Sequence, residues 1–495
     1  MITKDPCWEL YVDGSSSQSG AGAGLEIRTP EGTRIHQSIR LEFPVTNNEA
    51  EYEALLAGIR LAKELQVKFP CLESFVYKEH QNNVKEIWDG TVPTDAVCKL
   101  RVLEVHNCNE LLSVAPSKLL GSFHDIEELY ISWCDSLEEV FKVEGGSNAK
   151  EGMVARDTDI EKELEDNHVF PQLKSIFLGY LPQLRIFYRR SCISELPSLK
   201  KMGIKSCPKL EMFPYRYQNT EEKVAFPVLE DLRLSDGRIF EDIWYGHVPA
   251  ASFSKVRKLE LDCSVLVNIH TLLLQRFEVV EELTLLWCDS LQVVFNLEGL
   301  EDIKRGAAVF SQITKLDSYH NLRSLSVHYC NSLKYLFSLS IARNLTNIEK
   351  LKVDRCDAIE EIVKNEDQGE EDGAMDEIVF PKLQSVELEA LPNLTSFCWA
   401  NKAFKLPSLQ LVLLGDCPKI RTFTSGQIST NVIELCESKW GMKQKVSDLN
   451  NHVQQLLQKR KGSSTMYNDD DEGTSLTSLW EKIEQHDEDD IMLKE

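Results

Sequence analysis

One apolar phrase constrains this chain more than any other feature. Leu-x-x-Leu-x-[Leu/Ile/Val]-x-x-Cys-x-x-Leu-x-x-[Val/Leu/Phe]-Phe recurs through most of the 495 residues. Clear copies are Ile126-Leu129-Ile131-Cys134-Leu137-Val140-Phe141, Val280-Leu283-Leu285-Cys288-Leu291-Val294-Phe295 and Leu322-Leu325-Val327-Cys330-Leu333-Leu336-Phe337. Others start at Leu100, Leu173, Leu199, Ile348, Leu383 and Leu409, with degenerate copies at Leu229 and Val256 and a weak opening copy at Leu72. Four pairs of consecutive copies, 100 to 126, 173 to 199, 322 to 348 and 383 to 409, start 26 residues apart. Apolar residues at alternate positions make a short strand with one face to bury, and one copy cannot bury it alone.

That period lies within the range of leucine-rich repeats. The expected fold is an α/β leucine-rich-repeat solenoid of about eleven to twelve repeats over 69–425. The strand's inward residues, the Cys at the turn leaving it, and the following Leu and Phe fill the coil. Cys108, Cys134, Cys207, Cys263, Cys288, Cys330, Cys356 and Cys417 share one register, which stacking turns into a buried column of thiols acting as small hydrophobes. Metal binding or disulfides would need clustering that this register does not give, and no Cys-x-x-Cys occurs. Phe141, Phe213, Phe295, Phe337 and Trp244 fall at coil-filling positions.

The formal net charge of −24 is unevenly placed. Residues 142–168, 365–378 and 468–495 together hold 20 of those net negative charges, so the repeats themselves are nearly neutral. The first two stretches fall in long gaps between copies and are expected to loop out as insertions. Residues 426–461 are expected to cap the open end, with an amphipathic helix over Trp440–Lys461 carrying Val446, Leu449, Val453, Leu456 and Leu457; 462–495 reads as a disordered acidic tail. The acidic balance makes nucleic acid an unlikely partner. No apolar run is long enough to span a membrane, and no secretory leader opens the chain. The cytoplasm is the expected compartment, with the nucleus left open.

On a solenoid whose strands line the concave face, ligands meet the variable positions around the strands. The residue before each repeat Cys is Asn107, Trp133, Ser206, Asp262, Trp287, Tyr329, Arg355 and Asp416. Trp, Tyr and Arg are the usual anchors of protein interfaces, which singles out Trp133, Trp287, Tyr329 and Arg355 for binding a protein ligand. The same rings could instead pack sideways on neighbouring repeats.

Residues 1–68 follow other rules. Trp8–Val12, Gly20–Arg28 and Thr33–Phe43 read as strands, Asp13–Ser17 as a turn, and Glu49–Ala62 as a helix with Leu55, Ile59 and Ala62 on one side. Tyr11-Val12-Asp13-Gly14-Ser15 and Thr46-Asn47-Asn48-Glu49-Ala50-Glu51-Tyr52-Glu53-Ala54-Leu55 resemble the first half of a ribonuclease H domain of the retrotransposon type. The resemblance implies a partial βββα unit and remnant catalytic, metal-ligating carboxylates at Asp13 and Glu51. Further family aspartates lack counterparts here, and two ligands cannot hold the Mg²⁺ pair that phosphate cleavage needs. No cofactor is expected, Mg²⁺ entering only under this nuclease alternative.

The repeats carry a more specific likeness. Leu129-Tyr130-Ile131-Ser132-Trp133-Cys134-Asp135-Ser136-Leu137, Phe380-Pro381-Lys382-Leu383 and Leu391-Pro392-Asn393-Leu394 resemble the leucine-rich-repeat region of plant coiled-coil nucleotide-binding disease-resistance proteins. The resemblance implies recognition of an effector and contact with a nucleotide-binding switch module. No Gly-x-x-x-x-Gly-Lys-[Ser/Thr] phosphate loop occurs in this sequence. A non-enzymatic recognition module and a gene fusion are both consistent with that combination.

Overall fold

Each Leu-x-[Leu/Ile/Val] phrase becomes a short strand, and these strands stack parallel into a sheet. In Glu128–Ser132, Leu129 and Ile131 point inward and are buried, opposite Leu103 and Val105 on one side and Ile176 and Leu178 on the other. The same stacking runs through thirteen parallel strands, from Ser74–Lys78 to Ile433–Cys436, and the antiparallel strand Gln444–Val446 closes the sheet as its fourteenth. Burying one such Leu or Ile fully contributes roughly 1.5–3 kcal/mol. The column therefore supplies most of the cohesion between turns. The computed structural model describes residues 9–17, 20–29, 33–41, 74–78, 99–116, 122–142, 170–187, 196–211, 226–235, 250–266, 279–295, 321–364, 377–437 and 443–463, with single residues between them.

The turn leaving the strand is built from backbone. Asn107, Trp133, Tyr180, Ser206, Trp287, Tyr329, Arg355, Ala390 and Asp416 all have φ between 46° and 58°. The left-handed residue reverses the chain while its own N–H still reaches the next turn. Trp133 donates to the Gly179 carbonyl at 3.0 Å, Tyr329 to Asp354 at 3.1 Å and Arg355 to Glu389 at 3.0 Å. The repeat Cys follows and donates its thiol to the carbonyl two residues back, as Cys134 does to Ser132 at 3.3 Å and Cys417 to Gly415 at 3.2 Å. The Cys-x-x-Leu spacing closes a four-residue turn, with Leu137 N–H on Cys134 O and Leu333 N–H on Cys330 O. In two copies Leu181 and Leu391 replace the Cys and keep that turn.

Behind the sheet the described coil is mainly strand: Ser113–Pro116 pairs with Glu139–Lys142, and Val293–Phe295, Tyr335–Ser338, Glu361–Lys364 and Ser396–Cys398 form a four-stranded sheet. Helical residues there include Leu339–Ala342 and a 3₁₀ turn at Ala250–Phe253. Phrases such as Glu-Val-Phe and Glu-Ile-Val favour strand over helix. Among the described residues the fold is thus a β-solenoid, and nine of its turns leave the long sheet through a left-handed residue. Glu377–Val379, at the end of the second acidic stretch, pairs with Ala403–Leu406 and buries Ile378. Most of both insertions, the acidic tail from 464, Phe213 and Trp244 lie outside the described residues, whereas Phe141, Phe295 and Phe337 are buried.

The C-terminal helix spans Leu449–Ser463, later than its sequence pattern suggested, because Val446 is used by the closing strand. Leu449, Val453 and Leu456 are buried in the solenoid core. Asn450 Oδ1 accepts from the N–H groups of Phe423 and Thr424, both at 3.0 Å, and from Thr422 Oγ1 at 2.9 Å.

Residues Glu9–Ser17, Gly20–Arg28 and Arg34–Leu41 form a separate antiparallel sheet. Asp13–Ser17 is strand, not a turn, and Asp13 lies opposite Gly24. Ile35, Ile39, Ala57 and Leu61 pack against Leu25 and Ile27. Glu51, Leu55, Ile59 and Ala62 lie outside the described residues.

Candidate recognition surface

With Leu and Val turned inward, the alternate strand residues and the left-handed exits form the outer face of the long sheet. Two aromatic stacks stand on its exit column. Trp133 lies on Tyr180 with ring centroids 3.8 Å apart and planes 10° from parallel. Trp287 lies on Tyr329 at 4.1 Å and 8°. Each stack ends on a cation: Lys205 Nζ is 5.7 Å from the Tyr180 centroid, and the Arg355 guanidinium is 5.2 Å from that of Tyr329 and donates to its hydroxyl. The two tryptophans remain 43% and 47% exposed, so packing on the next turn does not withdraw them from solvent. The stacks hold them in place, because one φ-constrained residue per turn sets adjacent rings at strand spacing.

Of the residues singled out by sequence, Trp287, Tyr329 and Arg355 are brought into one stack, and Trp133 belongs to the other. Asp262 is not equivalent to them. Its copy runs Leu259-Glu260-Leu261-Asp262-Cys263, one residue shorter than Leu129-Tyr130-Ile131-Ser132-Trp133-Cys134. Asp262 consequently sits on the strand opposite Leu286 and has no left-handed φ. Tyr180 was missed because Leu181 stands where the other copies have Cys. The Leu-x-x-Leu turn was the signal that could have found it.

A second aromatic run was also missed. Tyr130 and Phe177 occupy the middle outward position of adjacent strands and stack at 4.4 Å and 16°, with His106 5.0 Å from Tyr130. Phe177 lies across Gly203, where a Cβ would meet its ring at 2.7 Å. The x of Leu-x-Leu was its only trace in the sequence.

Charged groups follow the aromatics along the face. Lys205 is 3.9 Å from Asp262, and Arg233 is 3.3 Å from Asp231. Burial pushes the Glu260 carboxyl up, with Arg233 and Lys205 opposing. Burial works against the Lys205 ammonium, but its hydrogen bond to Tyr180 and nearby Asp262 and Glu260 outweigh that and hold its pKa above the ordinary value. Arg355 is held up in the same way by Tyr329, Asp354 and Glu389. The arrangement offers π-faces, hydrogen-bond donors and carboxylates side by side. Among the described residues no group of three or more His, Cys, Asp or Glu is placed to hold a metal ion, and no helix is long and apolar enough to cross a membrane.

A family model described as plant disease resistance protein RPS2-like, leucine-rich repeats, matches residues 74–220, 228–318 and 309–437. The match starts after the first unit, and the ribonuclease H-like likeness of 1–68 gains no support from it. The putative disease resistance protein At4g10780 of Arabidopsis thaliana is 27% identical over 192 residues, covering 36% of this chain and 21% of that protein. The disease resistance protein SUMM2 of the same plant is 33% identical over 107 residues, 22% of this chain and 11% of that protein. The chain thus matches about a fifth or less of the length of these relatives. Among solved structures, a chain of the mouse RP105/MD-1 complex aligns over 70% of this chain and 65% of its own at 12% identity, with a TM-score of 0.23.

Proposed function

Because the chain belongs to the RPS2-like leucine-rich-repeat family of plant disease-resistance proteins, whose repeats are non-catalytic, we propose that it is an immune-receptor-like recognition module that binds a protein ligand on the outer face of its long sheet. The observation that carries this reading is the pair of exposed aromatic stacks, Trp133 on Tyr180 and Trp287 on Tyr329, on one exit column. Pre-ordered Trp and Tyr lose little side-chain freedom on binding and bury large areas, which is why such residues dominate interface energies. The ligand is an effector protein or the switch module of a nucleotide-binding receptor, met in the cytoplasm.

The test is capture by the full chain, immobilised and exposed to plant extract and to recombinant nucleotide-binding modules. A specific partner should be retained by the wild type and lost when Trp133→Ala and Trp287→Ala are combined. Retention of the same partner by that double variant would remove the surface assignment.

A further inference from the structure

We propose that the open face of Trp287 is a binding site for an arginine side chain of a protein ligand; this deepens the recognition reading above and rests on it. The site arises from the one-residue deletion in the preceding turn. In regular neighbours, a left-handed residue stands in the exit column over the next one, as Asn107 precedes Trp133 and Trp133 precedes Tyr180. Before Trp287 no such residue exists, because Asp262 runs straight into Cys263. Among the described residues, the ring partner of Trp287 is Tyr329 alone, on the following turn. Among the same residues, none stacks on the face toward the preceding turn, and Trp287 is 47% exposed.

The chemistry around that face selects a cation. Indole is the strongest aromatic acceptor of a cation, through the negative face of its quadrupole. The strand register places Asp262 opposite Leu286, next to Trp287 in the chain, and Glu260 opposite Thr284 on the same strands. Lys205, 3.9 Å from Asp262, shares that carboxylate and does not stack on Trp287. The molecule already satisfies the far end of this stack with a guanidinium, that of Arg355 over Tyr329. A second guanidinium on Trp287 would complete a four-layer sandwich. Arginine is favoured over lysine because a planar guanidinium can lie on the ring while its edge donates to Asp262.

The test titrates the full chain with a Gly-Ser-Arg-Gly-Ser peptide and its citrulline counterpart, which keeps the shape and loses the charge. Binding is followed by the NMR signals of the indole N–H groups. The arginine peptide should move one indole signal, the one that disappears in Trp287→Ala, and the citrulline peptide should not. Ala390 holds φ 51° in the same turn type, so the alanine variant keeps the exit geometry. Inserting Asn between Asp262 and Cys263, which restores the regular turn, should weaken binding roughly two- to thirtyfold, as should Asp262→Asn. If the insertion does not fold, Trp287→Ala and the citrulline peptide decide the matter. An equal response to citrulline, a shift at Trp133 in place of Trp287, or no response to arginine overturns the proposal. Loss of the protein ligand by the double tryptophan variant with no arginine response would leave the recognition surface standing and remove only the arginine.

Discussion

At the level of single residues, a left-handed backbone at nine non-glycine positions has to be reconciled with stability. Such a conformation costs about 1–2 kcal/mol for a residue with a Cβ. Here it is offset, at eight of the nine, by an N–H bond to the next turn and, at Trp133, Tyr180, Trp287 and Tyr329, by ring stacking. Ala390 has the same φ and the same N–H bond, to Gly415 at 3.0 Å, but no ring to stack. Ala390→Gly should therefore raise stability by about 0.5–1 kcal/mol, the relief of strain exceeding the added unfolded-state entropy. A lower urea midpoint would show that the turn is not strained. The thiol column predicts a pH effect of definite sign. Burial pushes the Cys207 thiol from its ordinary 9.0 up to about 12. The folded state holds the proton more tightly than the unfolded one, so this stability is intact below pH 9 and is lost as pH rises toward 12. Urea midpoints should fall over that window, less steeply in Cys207→Ala; equal slopes would mean that the thiol is accessible.

At the level of elements, the cap shows how one side chain joins two pieces of structure. Asn450 Oδ1 takes two backbone N–H groups and a hydroxyl from the last full turn. Asn450→Ala would leave the Phe423 and Thr424 amides without that acceptor, at a cost of roughly 1–3 kcal/mol. Hydrogen exchange at those amides should quicken, and Asn450→Asp, which keeps the oxygen, should largely restore protection; equal exchange in the two variants would count against the clamp. This contact was invisible in the sequence, where Asn450 lies amid a polar Asp448-Leu449-Asn450-Asn451-His452 run. The strands, by contrast, were legible because Leu-x-Leu states which side chains must be buried. The Cys register was legible for the same reason. What escaped was anything set by a one-residue change in backbone length: Asp262 was aligned by its Cys when the chain had already lost the left-handed residue. The surface rings Tyr130 and Phe177 escaped because outward strand positions carry no periodic constraint, and Tyr180 because Leu181 takes the place of the Cys that marks the exit.

For the molecule as a whole, each turn touches chiefly its neighbours, so stability is close to a sum of turns and the interfaces between them. The exposed ion pairs along the strand approaches, Arg101 to Glu127 at 3.0 Å and Lys174 to Glu127 at 2.7 Å, add little to that sum. The apolar column carries it. A column must end somewhere, and here Gln444–Val446 turns antiparallel against Ile433–Cys436 while Leu449, Val453 and Leu456 cover the last core residues. Truncation after Ser438 removes both the closing strand and the helix. It leaves Ile433–Cys436 as a bare parallel edge, the arrangement that templates pairing with another chain. Two consequences separate a linear array from a single cooperative block. Hydrogen exchange should lose protection steeply at Leu411–Gly415, less at Lys350–Asp354, and hardly at all at Glu128–Ser132. The truncated chain should also self-associate, measurable as mass by light scattering. A uniform loss of protection along the sheet would mean that the turns fold as one unit, and the nearest-neighbour account of this solenoid would fall.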